Sequence, residues 1–208
     1  MPWNFHRITL VVATRNNGKL TEFRALLAPL KSKILGLQDL SLDAEVEEAG
    51  SAFAENARLK ALAYSRLTHF PVLADDSGLE VAALGGRPGI HSARYAGAGA
   101  SDADRIRKLL SELSQSAGGR EARFVCALAL ARQGVLLRES EGLCPGLIID
   151  EPRGSNGFGY DPIFLFPDLG KTFAELSEEE KNRHSHRAKA VVSLIQQLES
   201  DPLENRQS

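Results

Sequence analysis

An apolar, β-branched run at residues 8–14 stops at Arg15-Asn16-Asn17-Gly18, and Leu20, Phe23, Leu26, Leu27 and Leu30 then recur at helical spacing. The first run reads as a buried strand, because such residues suit a pleated interior position. The second reads as an amphipathic helix that ends near Pro29. A chain that opens strand, polar turn, helix points to an α/β architecture. It also sets a helix N-terminus, with its free N–H groups and partial positive charge, directly after a strand.

The rest of the chain repeats these ingredients without a strict βαβ rhythm. A helix is expected over 53–67, capped by Ser51. A brief strand at 71–74 runs into Asp75-Asp76-Ser77-Gly78, and the glycine-rich stretch 84–99 reads as an irregular loop. Ile106, Leu109, Leu110 and Leu113 mark a third helix with Ser101 as its N-cap. Segments 123–131, 135–139 and 142–149 read as an antiparallel set of strands, followed by a second glycine-rich loop at 154–162. Ser177 and Glu180 have the spacing of a capping box for a helix that carries Lys181, and Ala188, Val191, Val192, Ile195 and Leu198 mark the last helix. With no internal repeat and no clear linker, the pattern predicts a single domain over 1–200, a central mixed sheet flanked by helices, and a polar tail at 201–208 that frays.

Composition narrows the functional classes. At 43% hydrophobic residues, the 208-residue chain can build a core and is not a disordered segment. A formal net charge of −2 and a pI of about 6.2 argue against a general nucleic-acid binder. Cys126 and Cys144 form no CxxC pair, and Cys126 lies in an apolar run, so reduced thiols are expected. The apolar stretch at 8–13 is far shorter than the roughly 20 residues a membrane span takes, and the N-terminus does not read as a signal peptide. A cytoplasmic protein without a membrane partner is therefore expected.

Four local patterns carry chemistry. Thr14-Arg15-Asn16-Asn17-Gly18-Lys19 joins strand to helix, where phosphate binds readily, although the spacing is not that of a Walker A loop. The same residues also read as an Asn-Gly turn with a solvated lysine. Asp75-Asp76 ends an apolar strand, and since adjacent strand residues face opposite sides, one of the two is expected to enter a given site. With Glu47 and Glu48 these carboxylates suit Mg²⁺, while an Asp-Ser-Gly turn is the alternative. Gly157-Phe158-Gly159-Tyr160-Asp161-Pro162 lets backbone approach a flat ligand on which a ring stacks, or forms a tight turn around a core aromatic. Lys181 and Ser185-His186-Arg187 supply donors near helix ends, or a solvated helical face.

Taken in order, these stretches resemble one family. Residues 11–19, 53–61, 74–79, 88–95, 157–164 and 185–187 are similar to the motifs of the inosine/xanthosine triphosphate pyrophosphatases, which remove damaged purine nucleotides from the nucleotide pool. The resemblance spans Val11 to about Leu198. It implies the inosine triphosphatase-like fold, with a nucleotide cleft between two lobes, and a homodimer. It implies hydrolysis of ITP, dITP and XTP to monophosphate and diphosphate with Mg²⁺ as cofactor. Thr14, Asn16, Asn17 and Lys19 then match a phosphate cradle, and Lys60 a second cation facing the triphosphate. Asp76 matches both the general base and a metal carboxylate. Glu47 matches the other metal carboxylate, with Glu48 beside it leaving the register open by one. Ser77, Phe158, Gly159, Tyr160 and Asp161 match substrate and base contacts, and Lys181, His186 and Arg187 the remaining nucleotide contacts. Donors from His186, Arg187 or nearby backbone would favour a 6-keto purine over adenine, whose 6-amino group is itself a donor. The competing readings are a pyrophosphatase of the related septum-inhibitor-type fold and a catalytically silent nucleotide-binding module. The 158–161 loop with His186-Arg187 argues against the first, and Asp76, Glu47 and the four cations against the second.

Overall fold

The computed structural model describes residues 7–201, so of the polar tail expected at 201–208 only Asp201, which accepts from Arg138, lies within the described residues. Strand β1 (Thr9–Ala13) leads into helix α1 (Asn17–Leu26). The Asn16 side chain caps that helix by accepting from the Lys19 backbone N–H at 3.0 Å, satisfying one donor of the first turn. A 3-10 turn at Ala28–Leu30 replaces the last helical turn, since Pro29 has no N–H to extend the α ladder. The chain continues as β2 (Lys33–Gly36), α2 (Phe53–Ser65), β3 (Val72–Val81), α3 (Asp102–Ser114), β4 (Glu121–Arg132), β5 (Val135–Ile148), β6 (Phe164–Phe166), β7 (Lys171–Thr172), α4 (Glu178–His184) and α5 (His186–Ser200).

The strands form one sheet in the order β2-β1-β3-β4-β5-β6-β7. β1 runs parallel to β2 and to β3, whereas β6 runs antiparallel to β5 and to β7. This is the mixed sheet with flanking helices that the patterning predicts. The capping boxes at Ser101 and Ser177 form as expected, closed by Asp104 and Glu180.

Local expectations need correction in four places. Ser51 does not cap α2. Ala52 occupies the cap position, and Ser51 directs its N–H and hydroxyl to Glu55 Oε2 at 2.7 and 2.9 Å. The strand expected at 71–74 continues to Val81, so Asp75, Asp76, Ser77 and Gly78 are strand residues and not a turn. Segments 135–139 and 142–149 are one strand, because Ser140 and Glu141 carry the extended backbone through. The stretch 84–99 is not wholly irregular, since 3-10 turns occupy Ala82–Leu84 and Gly89–Arg94.

The chain divides into two compact units. The first comprises the residues up to Asp76, Cys126–Gly142, and those from Arg187 onward. Its core is built from Leu10, Val12, Phe23, Leu27, Leu73, Leu128, Leu130 and the α5 residues Ala190, Val191 and Leu194. The second comprises Ser77–Val125 and Leu143–His186. Its core is richer in aromatics, with Tyr95, Phe124, Tyr160, Phe164, Phe166 and Phe173 around Leu109, Leu113 and Ile163. Among the described residues no helix is long and apolar enough to cross a membrane.

Candidate active site

In the first unit the functional side chains come from the start of α1, the middle of α2 and strand β3. Asn16 and Asn17 are exposed at the N-terminus of α1, and half-buried Thr14 accepts from the Asn16 N–H at 3.2 Å. The first turn thus presents short polar groups around backbone donors, as phosphate binding at a helix start requires. Lys19 leaves the same turn, and its Nζ donates to Asp75 Oδ2 at 2.5 Å.

The two acids of β3 point to different partners, as the alternation of a strand demands. Asp75 shares a face with Leu73, on the side of α1 and α5. It accepts from Lys19 and from the Cys126 thiol at 3.1 Å, and Arg187 Nε lies 3.9 Å away. Burial alone would raise its carboxyl, but the charges of Lys19, Arg187 and Lys60 outweigh that and hold it well below the usual carboxylate range. Arg187 is buried, and donates through Nη1 to Glu22 Oε2 at 2.6 Å. The Cys126 thiol is pushed up by burial and by the Asp75 charge, so it stays protonated and inert.

Asp76 turns toward α2. Its Oδ2 accepts from Asn56 Nδ2 at 3.1 Å, and its Oδ1 lies 3.5 Å from Lys60 Nζ. The Lys60 ammonium also donates to the Asp75 carbonyl at 2.6 Å and to Glu48 Oε1 at 2.9 Å. Burial raises the Asp76 carboxyl above its ordinary value, Glu48 and Asp75 adding to the rise and Lys60 opposing it. For Lys60, burial works to lower the ammonium, and the carboxylates of Asp76, Asp75 and Glu48 reverse the effect.

Glu48, and not Glu47, makes the contact that brings a second carboxylate to Asp76; Glu47 is exposed. The register is set by the way segment 42–50 is fastened. Arg15 Nη2 donates to the carbonyls of Asp43 and Ala44 at 2.6 and 3.1 Å, and Tyr64 Oη to Ala44 O at 2.7 Å. The Gly50 N–H donates to Asn56 Oδ1 at 2.8 Å. Glu48 and Asp76 are hard oxygen donors brought to one cation, a set that also suits Mg²⁺, which takes one or two carboxylates and keeps waters or phosphate oxygens. No group of three or more His, Cys, Asp or Glu side chains forms a metal site among the described residues. A cation here would complete its shell with water and substrate.

The second unit holds the remaining predicted residues. Ser77 is half-buried on β3, one position beyond Asp76. Asp161 is buried, and its Oδ2 accepts from Lys181 Nζ at 2.5 Å and from the Phe158 N–H at 2.9 Å. Gly157 is required there twice over: its φ is +75°, and a Cβ would run into the Asp161 carboxylate. The Lys181 ammonium lies 4.9 Å from the Phe158 ring centroid. Of the two rings expected near a base, Phe158 is half-buried, whereas Tyr160 belongs to the core and donates its hydroxyl to Ser92 O at 3.0 Å. His186 is buried and stacked on Phe124, with centroids 4.7 Å apart and planes 12° apart. His186 and Arg187, adjacent in sequence, therefore serve different units.

Sequence reasoning assigned no role to Asn56, Glu22 or Arg15. A signal for Asn56 was available. The buried stripe of α2 runs Phe53, Asn56, Ala57, Lys60, Ala61, Tyr64, and two polar residues four apart inside such a stripe must be aimed at something polar. Glu22 sits three residues after Lys19 on α1, on the same side of the helix.

The profile of the Ham1 family matches residues 10–197. The chain is 54% identical over 191 residues to the dITP/XTP pyrophosphatase of Geobacillus kaustophilus, covering 91% of this chain and 94% of that protein. It is 47% identical over 191 residues to the dITP/XTP pyrophosphatase of Bacillus subtilis, covering 91% and 96%. Among solved structures, the HAM1 protein of Coxiella burnetii superposes with a TM-score of 0.84 at 43% identity, over 93% of this chain and 99% of that one. With the whole fold and nearly the whole length matched, this chain belongs to the Ham1 family.

Proposed function

We propose that this chain cleaves dITP, ITP and XTP between the α and β phosphates, with Asp76 as general base for the attacking water. As a Ham1-family member it is a nucleoside triphosphate pyrophosphatase of non-standard purine nucleotides. The observation that carries the mechanism is the cluster of Glu48, Lys60 and Asp76, with Asn56 orienting the base. A base must be able to take a proton near neutral pH, and burial moves Asp76 in that direction. Asn56 commits one amide hydrogen to Oδ2, which fixes the plane of the carboxylate.

Lys19 and the polar turn at Thr14, Asn16 and Asn17 receive the phosphates, and Lys60 supplies a second positive charge. Charge spreads onto the leaving diphosphate in the transition state, and fixed cations stabilise it there more than in the ground state. Glu48 and Asp76 would hold Mg²⁺, which supplies further neutralisation of the phosphate oxygens. Phe158 stacks on the purine, and Lys181, held beside that ring by Asp161, donates to the 6-keto group. Adenine presents a donor at that position and leaves the lysine mispaired. Arg187, committed to Glu22 and facing Asp75, supports Lys19 in this reading and does not read the base.

Asp76→Asn tests the assignment. The amide keeps the shape and can still meet Asn56 and Lys60, but it takes no proton. Diphosphate release from dITP should fall about 10²–10⁴-fold while the circular dichroism spectrum stays native. A variant with near-native turnover at saturating Mg²⁺ would remove Asp76 from the role.

A further inference from the structure

The loop that carries Phe158 and Gly159 is anchored on both sides. Asp161 receives the Phe158 N–H, and the Tyr160 hydroxyl is fixed to Ser92 O. Between these anchors the Gly159 N–H donates to Asp102 Oδ2 at 2.7 Å, a bond across 57 positions of sequence. Gly159 has φ +64°, and among the described residues nothing beyond its chain neighbours lies within 4 Å of where a Cβ would sit. Glycine is favoured there by conformation alone, so the backbone has room to move unless something holds it.

Asp102 is itself fixed in place. It is the first residue of α3, yet the helix does not use it as a cap: Ser101 and Asp104 close the capping box between them. Its Oδ1 accepts from Arg105 Nη2, and Arg105 Nη1 donates to the carbonyls of Ala93 and Ala100, each at 2.8 Å. Each carboxylate oxygen of Asp102 thus has its own donor, one on a clamped arginine and one on the loop. The Asp102 side chain is 42% exposed, so packing of the core does not account for it.

We infer that Asp102 is a positioning residue for the base loop, fixing the Gly159 backbone and through it the Phe158 ring for the purine. This rests on the reading of Phe158 as the stacking residue. The partners of Asp102 are Arg105 and the Gly159 N–H, both on the base-loop side of the reading, so its loss should raise KM and spare kcat. Removing one charge-assisted hydrogen bond from the loop corresponds to about a tenfold rise in KM for ITP. Asp102→Asn should fall between wild type and Asp102→Ala, since an amide oxygen still accepts from Gly159 without the charge.

The test compares wild type, Asp102→Ala, Asp102→Asn and Phe158→Ala on ITP, with inorganic tripolyphosphate as an inhibitor that lacks a base, and with amide hydrogen exchange read at Gly159. The expected result is a higher ITP KM in the order Asn then Ala, kcat within about twofold, an unchanged tripolyphosphate Ki, and faster exchange at Gly159 in Asp102→Ala. If Phe158→Ala raises KM while Asp102→Ala leaves it unchanged, the role of Asp102 is overturned and the base loop stands. A change confined to kcat, or a matching shift in tripolyphosphate Ki, overturns it as well. If Phe158→Ala leaves KM unchanged, the base-loop reading fails, and the inference with it.

Discussion

Replacing Asp75 with Asn should cost the fold several kcal/mol, about the amount typical of a broken buried ion pair. The Asp75 side chain is fully buried, and it accepts from Lys19 at 2.5 Å and faces Arg187 at 3.9 Å. Removing one partner of a buried pair costs about 3–5 kcal/mol, because the remaining charge stays desolvated. Two features reduce that figure. The Lys19 side chain is 17% exposed and can turn toward water, and Arg187 keeps Glu22 at 2.6 Å. A loss of about 3 kcal/mol remains, equivalent to a fall in Tm of about 6–12 °C for a domain of this size. The pH dependence gives a second check. The folded-state carboxyl is held below its unfolded value, so its contribution is complete above the unfolded pKa of about 3.9 and is lost as pH falls toward the folded one. Urea denaturation of wild type and Asp75→Asn in EDTA, followed by circular dichroism, should show a constant gap from pH 8 to pH 5 that narrows below about pH 4. A gap under about 1 kcal/mol at pH 7, or one that widens on acidification, would refute the argument.

Asp76 predicts the opposite sign. Burial raises its carboxyl, so its stabilising contribution is present below the unfolded pKa and is lost as pH rises through the folded one; Asp76→Asn should be at least as stable as wild type at pH 7 in EDTA, and a fall of several degrees in Tm would contradict this. Glu48→Gln should raise the Mg²⁺ concentration for half-maximal turnover about tenfold or more, and Glu47→Gln should leave it nearly unchanged; the reverse order would return the metal carboxylate to Glu47. Phe158→Ala should weaken ITP and ATP alike by about 1–3 kcal/mol, because stacking ignores the 6-substituent. Lys181→Ala should narrow the ITP/ATP ratio of kcat/KM, and an unchanged ratio would remove Lys181 from base reading.

Much of this was legible in the sequence where local rules decide. The strand, turn and helix at the N-terminus and the boxes at Ser101 and Ser177 formed as patterning predicts, because capping depends only on residues three apart. The failures lie where tertiary structure overrides local signals. The strand expected to end at Asp75-Asp76 runs on through Ser77-Gly78 to Val81, with Lys19 and Lys60 meeting its two acids. Which of Glu47 and Glu48 meets Lys60 was beyond sequence, since Arg15, Tyr64 and Asn56 grip a segment with no regular structure. The separation of His186 from Arg187 has the same origin: one ring stacks on Phe124, while the next side chain answers Glu22.

The central claim is attack of water on the α-phosphorus, and isotope placement tests it most directly. Wild-type enzyme turning over dITP in ¹⁸O-labelled water should put the label in dIMP, leave the released diphosphate unlabelled, and produce no orthophosphate. Label in the diphosphate, or stepwise release of orthophosphate, would contradict the account.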